Sequence, residues 1–303
     1  MSDSATPLSA PPGHLLCFGL GFSARATVRL LRARGWRISA TCRDPARPRE
    51  LSARGIASFQ FNDGGSLPDA AWQGVTHLLI SVPPGEAGDP VLGALRDTLI
   101  ARRAQFQWIG YLSTTGVYGD RQGGWVDETT PPDPAPGRSA RRAAAERDWC
   151  DLYRDHGLPV HMFRLAGIYG PGRNALLTAK AGQARRIDKA GQVFCRIHVD
   201  DIAQTLAASI ARPDPGAVYN VCDDEPAPNH QIVALACELA GVPVPPLIPF
   251  EAADLSPMAK SFYNDCRRVR NDRIKADLGV RLDYPTYREG LAALCDNPEE
   301  VPL

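Results

Sequence analysis

Apolar and polar positions alternate in blocks through the first half of the chain. HLLCFG (14–19) is an almost unbroken apolar run and reads as a strand buried on both faces. ARATVRLLRARG (24–35) places its apolar residues at helical spacing and ends at Gly35, a glycine suited to a helix C-terminus. The alternation continues with strands over 36–42, 56–61, 76–82, 106–113 and 158–165. Helices are predicted over 46–54, 89–104 and 139–156, and Pro83 and Pro84 stop the fourth strand. Apolar strands separated by helices predict an α/β fold with a doubly wound parallel sheet.

After Gly170 the pattern loosens. Residues 171–196 mix Gly, Asn and Arg with little periodicity, as a loop-rich binding region does. Helices are expected over 198–211, 228–240, 271–278 and 286–295, with a strand over 217–223. The expected organisation is a loose tail over 1–13, a dinucleotide-binding domain over 14–170 and a smaller substrate lobe over 171–303. Residues 198–223 return to the first domain.

Composition narrows the class. The chain has 303 residues, 44% apolar and 22% charged, with no net charge. That balance gives no reason to expect a nucleic-acid or membrane-surface partner. The Pro-rich start has no apolar core of a signal peptide, and no apolar run reaches membrane-spanning length. Eight cysteines are scattered with no Cys-x-x-Cys pair and no zinc spacing, so reduced thiols, a cytoplasmic location and no metal are expected.

The clearest chemical signal is GLGFSA, between the first strand and the first helix. It has the spacing of a dinucleotide loop. Gly19 permits the turn, Gly21 lets a diphosphate approach the backbone, and Ala24 packs helix on strand. Phe22, Ser23 and, at the end of the fourth strand, Ser81 complete the candidate loop. TCRDP (41–45) ends the second strand with Arg43, which suits a 2′-phosphate and favours NADP; Asp44 beside it leaves NAD open. Asp63 stands where an adenine amino group would be met, or is simply a turn residue.

GLGFSA and STTGVYG (113–119) together resemble the extended short-chain dehydrogenase/reductase family, the NAD(P)-dependent epimerase/dehydratase group. RLAGIYGPG (164–172), RIHVDDIA (196–203), YNVCDDEP (219–226) and the stretch 270–291 agree with it in order. The last looks like a subgroup whose substrates are mostly unassigned. The resemblance implies a Rossmann sheet of about seven strands with a C-terminal substrate lobe. It implies that the Thr114 hydroxyl meets the reacting oxygen, and that Ala166, Gly167 and Ile168 lie beside the nicotinamide.

The family carries Tyr-x-x-x-Lys on the helix that here begins APGRSARRAAAE (135–146). Anchored on Ala145-Glu146, the tyrosine position holds Arg138 and the lysine position Arg142. Arginine stays charged and cannot serve as the acid. A missing general acid–base costs roughly 10²–10⁴ in rate, about 3–5 kcal/mol. Arg142 could still hold the nicotinamide ribose, and Arg138 could clamp a ligand anion; either could equally be a solvated helix face. Thr115 and Gly116 occupy the places of the 4,6-dehydratases' Asp-Glu pair, which disfavours that chemistry. His198 and the Asp200-Asp201 pair read as structural, and Cys195, Asp127 and Glu128 lack support as proton donors.

Two readings follow. One is an NAD(P)-dependent oxidoreductase or epimerase acting on a small molecule, a sugar-nucleotide or a carbonyl compound. The other is an inactive NADP-binding sensor or regulatory protein. A small-molecule substrate and a homodimer are the partners considered.

Overall fold

A computed structural model describes residues 11–44, 46–62, 65–296 and 298–299. Most of the expected tail, and Asp63, therefore lie outside the described residues.

The central sheet has seven parallel strands: β1 (His14–Phe18), β2 (Arg37–Cys42), β3 (Ala57–Gln60), β4 (His77–Ile80), β5 (Trp108–Thr114), β6 (Val160–Leu165) and β7 (Val218–Val221). Their spatial order is 3-2-1-4-5-6-7, with the chain reversing its direction of travel between β1 and β4. Ligands bind at the carboxyl ends of strands beside such a reversal.

Helices α1 (Phe22–Ala33), α2 (Arg47–Ala53), α3 (Pro90–Ala101) and α4 (Arg138–His156) fill the crossovers. They are followed by α5 (Ala175–Lys180), α6 (Val199–Ala211), α7 (Asn229–Ala240), α8 (Pro257–Ser261), α9 (Asp272–Ala276) and α10 (Tyr287–Ala293). Successive β1 side chains point to opposite faces. Leu15 and Cys17 join the core that includes Val28 and Leu31 of α1 and Ile202 and Leu206 of α6. Leu16 and Phe18 join the core under Leu95 of α3 and Trp149 of α4. Both faces are covered, so the strand is apolar throughout.

Local chemistry fixes the ends. α1 stops where Gly35 adopts φ +80°, and the Trp36 N–H returns to the Leu31 carbonyl. His198 caps α6 by accepting the Asp200 N–H through Nδ1 at 3.3 Å. Burial holds its imidazole down to about 4, so it stays neutral. Asp201 accepts the Asp283 and Tyr284 N–H groups at 2.8 and 3.2 Å, tying α6 to the C-terminal segment.

Two smaller cores lie apart from the sheet. Leu176 of α5, Ala236 and Ile232 of α7 and Leu291 of α10 form one. Ile187, Ala253 and Tyr263 form another, with Phe194 and Phe250 against them. Among the described residues no helix is long and apolar enough to cross a membrane.

Candidate functional site

Sheet register brings the predicted motifs together. Phe18 pairs with Ile80, so the loop after β1 lies beside Ser81. The Ser81 hydroxyl donates to the Phe18 and Gly19 carbonyls at 3.0 and 2.9 Å, and the Gly19 N–H donates to Thr41 Oγ1 at 3.1 Å. Gly19 has φ +83°, and a Cβ there would meet Val82 Cγ1 at 2.9 Å. Only glycine makes this turn without strain.

Gly21 is the N-cap of α1 and supplies no side-chain cap, so the first-turn N–H groups are left for a ligand. A Cβ at Gly21 would meet nothing within 4 Å. The space in front of the helix end is therefore open. That cradle fits a dinucleotide's diphosphate.

Thr114 pairs with Leu165 across β5 and β6, which sets the end of β5 beside the start of segment 166–169. Thr114 Oγ1 accepts the Gly116 N–H at 3.1 Å, capping the 3₁₀ turn 115–118. A side chain at Gly116 would meet Ser139 Oγ at 2.9 Å, so a glutamate there would crowd α4.

Behind Thr114 runs a buried polar chain. Ser113 donates to Glu146, and Arg164 holds the same carboxylate, with Nη2 to Oε2 at 2.8 Å. Arg164 also donates to the Tyr118 hydroxyl at 3.0 Å, and that hydroxyl donates to Asn220 at 2.7 Å. Glu146, half of the pair used to anchor the helix, is thus the link between Ser113 and Arg164 in this chain, which the sequence did not reveal.

Arg142 reaches back from α4 to β5. Its Nη1 donates to the Tyr111 hydroxyl at 3.1 Å and the Leu112 carbonyl at 2.9 Å, and the guanidinium lies 5.4 Å from the Tyr111 ring centre. Arg138 goes elsewhere. It is exposed, lies 5.5 Å over Phe262 and donates to Ser261 Oγ at 3.5 Å.

One cleft of about 850 Å³ gathers these parts. Gly21, Phe22, Ser23, Ala24 and Ser81 line it, and so do Thr114, Arg142, Ala166, Gly167 and Ile168. Gly19 shapes the loop from behind. Arg138 and Arg43 are not part of the lining. Arg43 is exposed at the end of β2, while Asp44 accepts the Ala46 N–H at 2.8 Å and is tied into the turn.

The far wall comes from segments after residue 172. Phe194, Phe262 and Tyr263 line it with Arg173, Arg196 and Arg267. Sequence periodicity missed these residues individually, because they come from loops and short elements. The loosened, arginine-bearing stretch 171–196 was the signal for the region.

Other proton-transfer candidates are engaged elsewhere. Cys195 lines the cleft, but burial pushes its thiol up to about 11, far from the thiolate. Asp127 accepts N–H and hydroxyl groups of Thr129 and Thr130, and Glu128 accepts the Asn220 N–H at 2.8 Å. Among the described residues no three His, Cys, Asp or Glu side chains are grouped to hold a metal.

Comparison with known proteins agrees with this geometry. The model of the NAD dependent epimerase/dehydratase family matches residues 89–222. Protein YeeZ of Escherichia coli K12 is 30% identical over 235 residues, 70% of this chain and 77% of that protein. The chain is also similar to a 3-diazoavenalumate denitrifying reductase from a Streptomyces species, at 27% identity over 91% of this chain and 98% of the relative. A solved structure of a functionally unknown conserved protein from Silicibacter pomeroyi superposes with TM-score 0.86 at 55% identity, covering 95% of this chain and 100% of that one. The chain belongs to the NAD-dependent epimerase/dehydratase family.

Proposed function

We propose that the protein is an oxidoreductase or epimerase that uses NADP in preference to NAD and acts on a small molecule in the 850 Å³ cleft. The observation that carries this reading is the convergence in one cleft of the open helix end at Gly21, the Thr114 hydroxyl and the Arg142 guanidinium. Bound coenzyme would supply the hydride exchange.

The chain's own residues do the rest. The backbone N–H groups at Gly21–Ala24 hold the diphosphate. Exposed Arg43, next to an aspartate already engaged in its turn, offers its guanidinium to the 2′-phosphate. Thr114 donates a hydrogen bond to the reacting oxygen. Arg142, held by Tyr111 and Leu112, presents a fixed positive charge to the ribose side of the site. The proton is exchanged with water, because the tyrosine position of the family motif holds Arg138, which turns to Phe262.

Calorimetric titration with NADPH and NADH side by side tests the coenzyme. NADPH is expected to bind about tenfold more tightly, and Arg43→Ala to erase the difference, about 1.4 kcal/mol. Turnover is read at the absorbance band of the reduced nicotinamide across a panel of carbonyl compounds and alcohols. Thr114→Val is expected to lower the rate roughly 10²-fold. Absence of Tyr-x-x-x-Lys favours the sensor reading instead. Tight coenzyme binding with no turnover of any compound would select it.

A further inference from the structure

The substrate half of the cleft carries positive charge that its own walls do not neutralise. Arg142, Arg173, Arg185, Arg196 and Arg267 line the cleft against one carboxylate, Asp265. Asp265 is already paired with Arg267 at 3.2 Å. Arg185 donates to the Asp254 carbonyl at 2.8 Å, and Arg142 to a hydroxyl and a carbonyl. Those acceptors are neutral, and the contacts fix the two guanidinium groups.

Arg173 and Arg196 differ from the others in place. Both line a second cavity as well, a side chamber of about 410 Å³. Ile168, Tyr169 and Asn229 are shared with them between cleft and chamber. Beyond that common wall the chamber is bounded by Ala175, Leu177, Thr178, Ile232, Tyr287 and Leu291. It is a mainly apolar recess, with Asn174 and Thr178 on its wall and two cations at its mouth.

Among the described residues neither cation has a carboxylate oxygen within 4 Å. Arg196 donates to the Phe194 and Ala227 carbonyls at 3.0 and 3.2 Å and to Asn229 Oδ1 at 3.0 Å, all neutral acceptors. Asp223 is the carboxyl whose charge bears on it most, but the two form no ion pair within 4 Å. Arg173 is exposed, lies 6.0 Å over the Phe22 ring, and has no carboxylate within 4 Å among the described residues. A guanidinium cannot shed its proton, so one that faces a cavity without an ion-pair partner is well complemented by an anion.

Resting on the oxidoreductase reading above, we propose that the substrate is a carboxylic acid with an apolar group. Its carboxylate sits between Arg173 and Arg196 with Asn229 beside it, and its apolar group enters the side chamber. Two guanidinium groups at one wall suit a charge-assisted grip on two carboxylate oxygens. The chamber is of a size that holds a small apolar fragment.

The test is calorimetry on the full chain loaded with NADPH. The probes are 3-phenylpropionate, its uncharged amide, acetate and inorganic phosphate. The acid is expected to bind at least tenfold more tightly than the amide. Arg173→Met should weaken the acid tenfold or more and leave NADPH affinity within twofold; Arg173 is exposed, so the variant keeps its fold. Thr178→Trp, at an exposed position of the chamber wall, should remove the advantage of 3-phenylpropionate over acetate.

Equal affinity for acid and amide overturns the proposal. So does phosphate binding more tightly than 3-phenylpropionate, or an Arg173→Met variant that loses NADPH rather than the acid. Failure of NADPH itself to bind overturns the functional reading instead, and is seen before any acid is added.

Discussion

Gly19 and Gly21 are two residues apart and do different work. Gly19 is glycine because its backbone sits at φ +83° with Val82 pressed against the missing Cβ. Gly19→Ala should therefore destabilise the fold by about 1–3 kcal/mol, read as a lower urea midpoint. Gly21 has an ordinary φ of −81° and open space before it. Gly21→Val should leave the melting temperature within about 2 °C, because ordinary surface changes shift stability little. Coenzyme affinity should fall at least tenfold by calorimetry. A Gly21→Val variant that keeps full affinity would remove the diphosphate from the front of α1. The motif made both glycines legible, since spacing alone encodes turn and cradle. It did not separate Arg142 from Arg138. They are one helical turn apart, but Arg142 finds Tyr111 and Leu112 on β5 while Arg138 finds Phe262, 124 positions later in the chain. Only the packing of α4 against its neighbours distinguishes them.

Elements hold the site through their ends. Asp89 caps α3 by accepting the Val91 and Leu92 N–H groups at 2.9 and 3.0 Å, and its other oxygen accepts the Trp149 indole N–H of α4 at 3.2 Å. Pro90 follows as the first helical residue, where its missing N–H costs nothing. One buried carboxylate thus joins the two helices on the Arg142 side of the sheet. Asp89→Ala removes a cap and orphans a buried indole donor, so it should cost about 2–4 kcal/mol in urea unfolding. A loss under about 0.5 kcal/mol would show that α3 and α4 are joined by apolar packing alone. Strand and helix positions were readable from periodicity because β1, β4, β5 and β6 are buried on both faces and α1 is amphipathic. The short pairings 125–126 with 268–269 and 186–188 with 247–249 were not, because two or three residues show no period.

At the scale of the whole molecule, the cleft is the seam between a regular sheet and an irregular lobe, and buried charge collects beside it. Burial pushes Asp223 up to about 8, with Arg196 opposing the shift. Its unfolded value is near 3.8. The folded chain therefore holds a proton that the unfolded chain releases, and this group's contribution to stability falls as pH rises from about 4 to 8. Asp223→Asn does not titrate. Its melting temperature should gain on that of the parent protein across this range, with the difference levelling above about pH 8. A constant difference from pH 5 to 9 would show that Asp223 ionises normally. By itself, the sequence determined the parallel sheet, the glycine turn between β1 and α1 and the placement of Thr114 at a strand end, because local periodicity and glycine spacing encode them. Only tertiary structure decided which arginines line the cleft, that Ser113, Glu146, Arg164 and Tyr118 form one buried chain, and that a side chamber opens beside the cleft. Those features join residues from loops far apart in the chain, and the contacts that make them exist only once both lobes are packed.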